Sequence, residues 1–229
     1  MGTAGAYWNE RVSRLDPYVP GEQPQNRQII KLNTNENPYP PSPKALEAIQ
    51  RAAGDRLRLY PDPDCTELRE AAAARYGVKP SQVFAANGSD EALAFAFAAF
   101  FASSRAGEVP AIRFPDITYS FYPVYAGLWD VPFETAPLAD DFSIKVEDYL
   151  QPSGGLTLAN PNAPTGRALS LRQIRRLVEY QYQQGTLALI DEAYGAFSLE
   201  PCSALPLITD FPNLLTVHTL SKSASLAGL

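Results

Sequence analysis

Leu187-Ala188-Leu189-Ile190-Asp191-Glu192-Ala193-Tyr194 and Thr216-Val217-His218-Thr219-Leu220-Ser221-Lys222 share one design, an apolar run that ends abruptly in residues able to do chemistry. Short apolar runs bounded by turn signals read as buried strands. Working outward, strands are expected at 83–86, 109–114, 129–133, 156–159, 187–190 and 214–219. Helices are expected at 66–76, 90–101, 119–127 and 170–184, and another is opened by Ser42 and Pro43 with Ala45, Leu46, Ala48 and Ile49 on its inner face. Strands alternating with helices mean an α/β fold, a mostly parallel sheet flanked by helices on both faces. The segment 90–101 is apolar nearly all round and is expected to be buried. Ligands of such sheets gather off the carboxyl ends of the strands. Asn87-Gly88-Ser89-Asp90, the 191–194 run and Ser221-Lys222 all fall there.

Residues 1–43, rich in Pro, Asn and Gln, read as an extended N-terminal arm, and residues 44–229 as the large domain. Its 229 residues are 45% hydrophobic and 11% aromatic, ample for one sizeable core. The formal charge of −6 comes from interspersed acidic and basic residues, which offers no cationic face to nucleic acid or anionic lipid. Glu10, Arg11, Arg14 and Asp16 stand where a secretory signal would need an apolar run, and the apolar stretch 92–102 is about half of what a membrane-spanning helix needs. Cys65 and Cys202 match no metal or disulfide spacing, so free thiols in a reducing cytoplasm and no metal are expected.

Lys222 lies at a strand exit in a partly apolar setting, where desolvation favours the free amine that an imine-forming lysine requires; a solvated loop lysine is the alternative. Asp191 closes an apolar strand, where a carboxylate is either a helix cap or held for a cation. Gly88-Ser89-Asp90 leads into a helix, whose backbone donors and dipole suit an anion. Tyr119, in Pro115-Asp116-Ile117-Thr118-Tyr119-Ser120, is either a stacking ring or core. Asn160-Pro161-Asn162-Ala163-Pro164-Thr165-Gly166 suits a fixed turn and admits a cis bond. Asn33-Thr34-Asn35-Glu36-Asn37-Pro38-Tyr39 is a polar segment, either a solvated loop or part of a site. His218, the one histidine, is expected to pack beside its strand without a catalytic role.

Together the 191–194 and 219–229 segments resemble the pyridoxal phosphate (PLP) enzymes of the aspartate aminotransferase superfamily, and within it the histidinol-phosphate aminotransferase family. The likeness runs from about Lys31 to Leu229. It implies a PLP-binding large domain in which Lys222 bonds the cofactor and shuttles the substrate proton. Asp191 would hold the ring nitrogen and Tyr194 the phenolic oxygen, with Tyr119 stacked on the ring. Gly88, Ser89, Asp90 and Ser221 would anchor the phosphate. The family's asparagine before Pro-Thr-Gly is replaced by Ala163, so its contact with the phenolic oxygen passes to Asn162, to Asn160, or is lost; Asn162 is the choice. Glu36 and Asn37 would meet the substrate, and Tyr60 would reach the phosphate of a neighbouring subunit, which implies a homodimer with shared sites.

The implied reaction moves an amino group between glutamate or 2-oxoglutarate and histidinol phosphate or imidazole acetol phosphate, in histidine biosynthesis. A PLP-dependent decarboxylase of the threonine-phosphate type shares the motifs, and a non-catalytic fragment of the fold is a further alternative. The family pattern continues past Ala227-Gly228-Leu229 into an arginine, an antiparallel strand and a small C-terminal domain. The expectation is therefore a truncated form, incomplete in its large domain, missing the small one and not competent alone.

Overall fold

The computed structural model describes residues 7–15, 30–101 and 110–229. Among the described residues five parallel strands form one sheet: β1 (Ile112–Pro115), β2 (Phe133–Ala136), β3 (Gly155–Ala159), β4 (Leu187–Asp191) and β5 (Leu214–Val217), in the order β2-β1-β3-β4-β5. The order reverses between β1 and β3, so the connections leave on opposite sides of the sheet and open a crevice at the carboxyl ends. Central strands β3 and β4 are buried almost throughout, as a parallel sheet covered on both faces requires.

One face packs under α6 (Leu171–Gln183), with Ile174, Leu177 and Val178 against Leu156, Leu158, Ala188 and Ile190. Ile174, Leu177, Val178 and Gln181 recur at helical spacing, and a Ser170/Gln173 capping box starts the helix. The other face packs under α4 (Gly88–Ala96) and α5 (Phe121–Leu128), with Leu93, Phe97, Tyr122 and Ala126 on Ile112, Phe114 and Leu189. The N-terminal region carries α1 (Glu10–Ser13), α2 (Pro43–Ala52) and α3 (Thr66–Tyr76), the last ended by Gly77 at φ 70.

Several expectations are corrected. Residues 7–15 are not an extended arm; they hold α1, whose N-cap Asn9 accepts from the Val12 amide. Residues 1–6 and 16–29 of the expected arm, and residue 109 of the expected first strand of the 109–114 run, lie outside the described residues. The 83–86 run is coil, with Phe84 71% exposed, because a strand exists only beside a partner and none pairs with it among the described residues. The expected strand 129–133 shifts to β2, since Trp129 caps α5 and Asp130 turns the chain at φ 51. The 90–101 segment is not buried all round: Phe95 and Phe100 are about half exposed. Its last turn, Phe97–Phe101, is π-helical and keeps Phe97 and Phe101 both inward. Phe101 lies against Gly155 at φ +128, where a Cβ would sit 2.8 Å from the ring and 2.7 Å from the Leu187 carbonyl oxygen.

Candidate active site

Because the strands are parallel, their polar exits converge. Ala159 pairs with Asp191 and Asp191 with Val217, so the 160–166 loop, the 191–194 run and the segment leading to Lys222 leave the sheet side by side. Residues 116–119 leave β1 at the same end.

Asp191 is 5% exposed. Its Oδ1 accepts the Ala193 amide at 3.0 Å and its Oδ2 the Tyr122 hydroxyl at 3.0 Å. Burial pushes its carboxyl up to about 6, with the Asp90 charge adding to the rise and the two donors opposing it. No cation pairs with it among the described residues. A desolvated carboxylate of this kind is costly until a positive partner arrives.

Asp90 forms a second acidic centre. Its Oδ1 accepts the Tyr119 hydroxyl at 2.7 Å and the Tyr125 hydroxyl at 3.2 Å. Burial first, then Asp90, holds both phenols well above their ordinary range. The Tyr119 ring stacks on Phe121 at 5.6 Å and meets Tyr122 edge-on at 5.6 Å. The Asn87 amide at the start of α4 donates to the Glu91 carboxylate at 2.6 Å and the Gly88 amide to the Ala86 carbonyl at 2.9 Å, while Ser89, with no side chain capping it, begins the turn whose backbone donors suit an anion.

A strap made by residues 31–37 crosses the remaining side. Asn37 Nδ2 donates to the Lys222 carbonyl at 2.9 Å, and Lys222 Nζ donates to the Thr34 carbonyl at 3.1 Å. Asn35 Nδ2 donates to the Tyr194 hydroxyl at 3.0 Å, while Lys222 Nζ stands 5.6 Å from the Tyr194 ring centre. Thr34 and Asn35 both take left-handed conformations, φ 62 and 53, to make this crossing. Glu36 pairs instead with Lys31, whose ammonium holds that carboxyl below its ordinary range.

The other expected residues are placed less centrally. Ser221 is engaged with Thr219, accepting its hydroxyl at 3.0 Å. Tyr60 is fully exposed and reaches no residue of this cluster. Asn162 is buried in the 160–166 loop, whose two X-Pro bonds are cis, and its amide donates to the Ile117 carbonyl and the Thr165 hydroxyl oxygen. Asn160 likewise spends its donors on the carbonyls of Leu169 and Cys202. Neither asparagine has a donor to spare. Asn162 does line, with Asn35, Pro164, Tyr194, Phe197 and Glu200, a cavity of about 600 Å³ beside Tyr194.

Beneath the site, Glu192 accepts the Ser203 hydroxyl and the Ala204 amide, and His218 faces it at 3.5 Å while stacking on Tyr76. Burial outweighs their attraction: it pushes His218 down to about 4 and Glu192 up. Sequence reasoning gave Tyr125 no place in the site, and it did not foresee these partners for Thr34, Asn35 and Tyr122. The i, i+3 spacing of Tyr119 and Tyr122 at a helix start was the available signal for one of them.

An aromatic cluster, a buried carboxylate with no cation on it among the described residues, a helix start and a lysine amine thus gather at one sheet end. The arrangement fits a flat cationic ring with an anionic arm and an amine-reactive carbonyl.

Comparison with known proteins is consistent with this. The family described as aminotransferase class I and II matches residues 27–229. Histidinol-phosphate aminotransferase 1 of Burkholderia pseudomallei is 57% identical over 226 residues, covering 97% of this chain and 61% of the relative. The chain therefore spans about three fifths of the length of that curated relative. The crystal structure of histidinol-phosphate aminotransferase from Sinorhizobium meliloti in complex with pyridoxal-5'-phosphate superposes with a TM-score of 0.83 at 25% identity, covering 99% of this chain and 62% of that one. L-threonine-O-3-phosphate decarboxylase from Porphyromonas gingivalis shares the fold, with a TM-score of 0.67 at 23% identity over 81% of this chain and 56% of that one.

Proposed function

This chain belongs to the aminotransferase class I and II family, and from that premise we propose that it binds pyridoxal 5'-phosphate and carries the cofactor site of a histidinol-phosphate aminotransferase. The whole protein would move an amino group between glutamate and the imidazole-bearing keto phosphate of histidine biosynthesis. The observation that carries the reading is Asp191, a carboxylate 5% exposed at the end of β4 with no cation on it among the described residues. The residues present fit the cofactor for this reason, and relatives at 57% identity bear the corresponding name.

Pyridoxal phosphate, when bound, supplies an aldehyde that bonds amines and a ring that accepts the electron pair released at the substrate α-carbon. Asp191 would hold a proton on the ring nitrogen, and the Tyr119 ring, fixed by Asp90, would stack on the cofactor face. Tyr194 would donate to the phenolic oxygen. The start of α4 at Gly88, Ser89 and Asp90, with Ser221, would receive the phosphate. Lys222 Nζ would bond the aldehyde carbon and, once displaced by a substrate amine, take up and return the α-proton. Glu36 and Asn37, on the strap, would meet the substrate. Asn162 would set the loop wall behind Tyr194, its amide being spent within the loop.

We assign residues 44–229 to the large domain and 1–43 to an N-terminal region that carries α1, and the site to a cytoplasmic homodimer. The full exposure of Tyr60, with Leu57 74% and Leu59 52% exposed beside it, supports that stretch as a surface for a second copy. No helix of the described residues is long and apolar enough to cross a membrane.

The test is a single turnover on the cofactor-loaded whole protein with glutamate and imidazole acetol phosphate. Formation of 2-oxoglutarate and histidinol phosphate, lost in Lys222→Ala, is expected. Carbon dioxide release from threonine phosphate in place of amino transfer would overturn the reading.

A further inference from the structure

The hydroxyl of the fully buried Tyr122 has one hydrogen-bond partner among the described residues, the Asp191 carboxylate. Its ring is enclosed by Phe97 (6.4 Å between centroids), Phe114 (5.9 Å) and Tyr119 (5.6 Å). Phenylalanine would fill such a place without a polar group to satisfy. The hydroxyl is thus explained by the oxygen it meets, Oδ2 of Asp191 at 3.0 Å.

We propose that Tyr122 is a positioning residue for the cofactor's ring-nitrogen contact, its hydroxyl fixing the plane of the Asp191 carboxylate and holding it ionised. The inference rests on the reading of Asp191 as the ring-nitrogen partner. Two donors from different elements pin the two oxygens: the Ala193 amide, two residues along the chain, holds Oδ1, and Tyr122, on the first turn of α5, holds Oδ2. Rotation of the carboxylate would break both bonds. A phenol donates to a carboxylate more strongly than to a neutral acid, so the bond also favours the charged form in a place where burial opposes it.

The surroundings leave Tyr122 this task alone. The Asp90 carboxylate on α4 is a like charge that raises Asp191, and its own donors are Tyr119 and Tyr125. Glu192 follows along the chain and is occupied by Ser203 and Ala204; His218, at the exit of β5, faces Glu192 and is kept neutral by burial. Lys222 is turned to the Thr34 carbonyl and Tyr194 to Asn35. Burial and the Asp191 charge together hold the Tyr122 phenol well above its ordinary range, so it stays a donor wherever Asp191 titrates.

The experiment is a carbon-13 NMR titration of aspartate carboxyls in the cofactor-free chain, with Asp191→Asn used to identify the resonance. In the wild type the Asp191 midpoint is expected at about 6. Tyr122→Phe is expected to raise it by about one pH unit, the worth of one hydrogen bond to a charged group. An unchanged midpoint in a folded variant would overturn the proposal, whereas general loosening of the core would expose Asp191 and lower it. Should the variant not fold, the wild type decides. A slowly exchanging Tyr122 hydroxyl proton is expected above the midpoint and lost below it, and its absence at both would be equally fatal. These readouts need no cofactor. Failure of the wild type to take up pyridoxal phosphate would therefore sink the functional reading separately, and the carboxyl titration would still decide what Tyr122 does.

Discussion

Asp191 makes the cofactor-free chain less stable than it could be, and replacing it with asparagine should reveal by how much. Burial raises its carboxyl from the model-peptide value of 3.8 to about 6. The folded chain therefore holds a proton that the unfolded chain has released. The group's favourable contribution is complete below the unfolded value and is lost as pH rises from 3.8 through about 6. Moving one carboxyl across that interval is worth about 3 kcal/mol, so the charged Asp191 burdens the fold by about that amount near pH 8. Asp191→Asn carries no charge and keeps the shape. It should melt roughly 6–12 °C higher than the wild type near pH 8 in a cofactor-free thermal melt. Near pH 4.5 the gap should shrink to about 1 kcal/mol, because there the wild-type carboxyl is mostly protonated when folded. The same variant should lose affinity for pyridoxal phosphate, having no charge for the ring nitrogen. A variant no more stable than wild type near pH 8, or one with the same gap at both pH values, would refute the reasoning.

His218 works in the opposite sense: its folded value of about 4 lies below the ordinary 6.5, so its contribution is complete above 6.5 and is lost as pH falls toward 4. His218→Phe, which keeps the stack on Tyr76, should flatten that acid loss by about 2.4 kcal/mol in denaturant titrations compared near pH 7 and near pH 4.5. Asn160→Ala removes three buried hydrogen bonds, with the backbone donor and acceptor of Leu169 and the Cys202 carbonyl, and should cost about 3 kcal/mol or more by urea unfolding. Gly155→Ala would set a Cβ 2.7 Å from the Leu187 oxygen at a φ of +128, and should leave little soluble folded chain; near-wild-type stability would contradict the tight approach of β3 to β4.

The parts of this fold that announce themselves locally were legible. The helix expected at 170–184 is α6, Leu171–Gln183, because its start signal and its apolar spacing are both written within a few residues. The run 187–190 needed no more than its four apolar residues to become β4. The 83–86 run has the same local character but stays coil, since strand formation depends on a neighbour that no short pattern reveals. Trp129 and Val131 look like strand residues, yet their amides are taken by Tyr125 and Ala126 at the end of α5, which moves β2 onward.

The site divides in the same way. Asp191 and Lys222 stand out because each follows an apolar strand, and parallel pairing brings the two strand exits side by side. Tyr122 and Tyr125 sit on an apolar helix face, so their bonds to Asp191 and Asp90 emerge only when α4, α5 and the sheet are brought together. Asn35 was hidden for another reason: among neighbouring polar residues, only the left-handed turn at Thr34 and Asn35 selects which one reaches Tyr194.

The central claim is that Lys222 and Asp191 together form a pyridoxal phosphate site. It is tested most directly by adding pyridoxal phosphate to the purified chain, reducing with borohydride and mapping the labelled peptide. The account predicts a yellow absorbance band before reduction and a single label on Lys222, with the band weakened in Asp191→Asn and the label absent in Lys222→Ala. A folded chain that takes no label, or carries it on surface lysines such as Lys44 or Lys79 to the same extent as on Lys222, would contradict it.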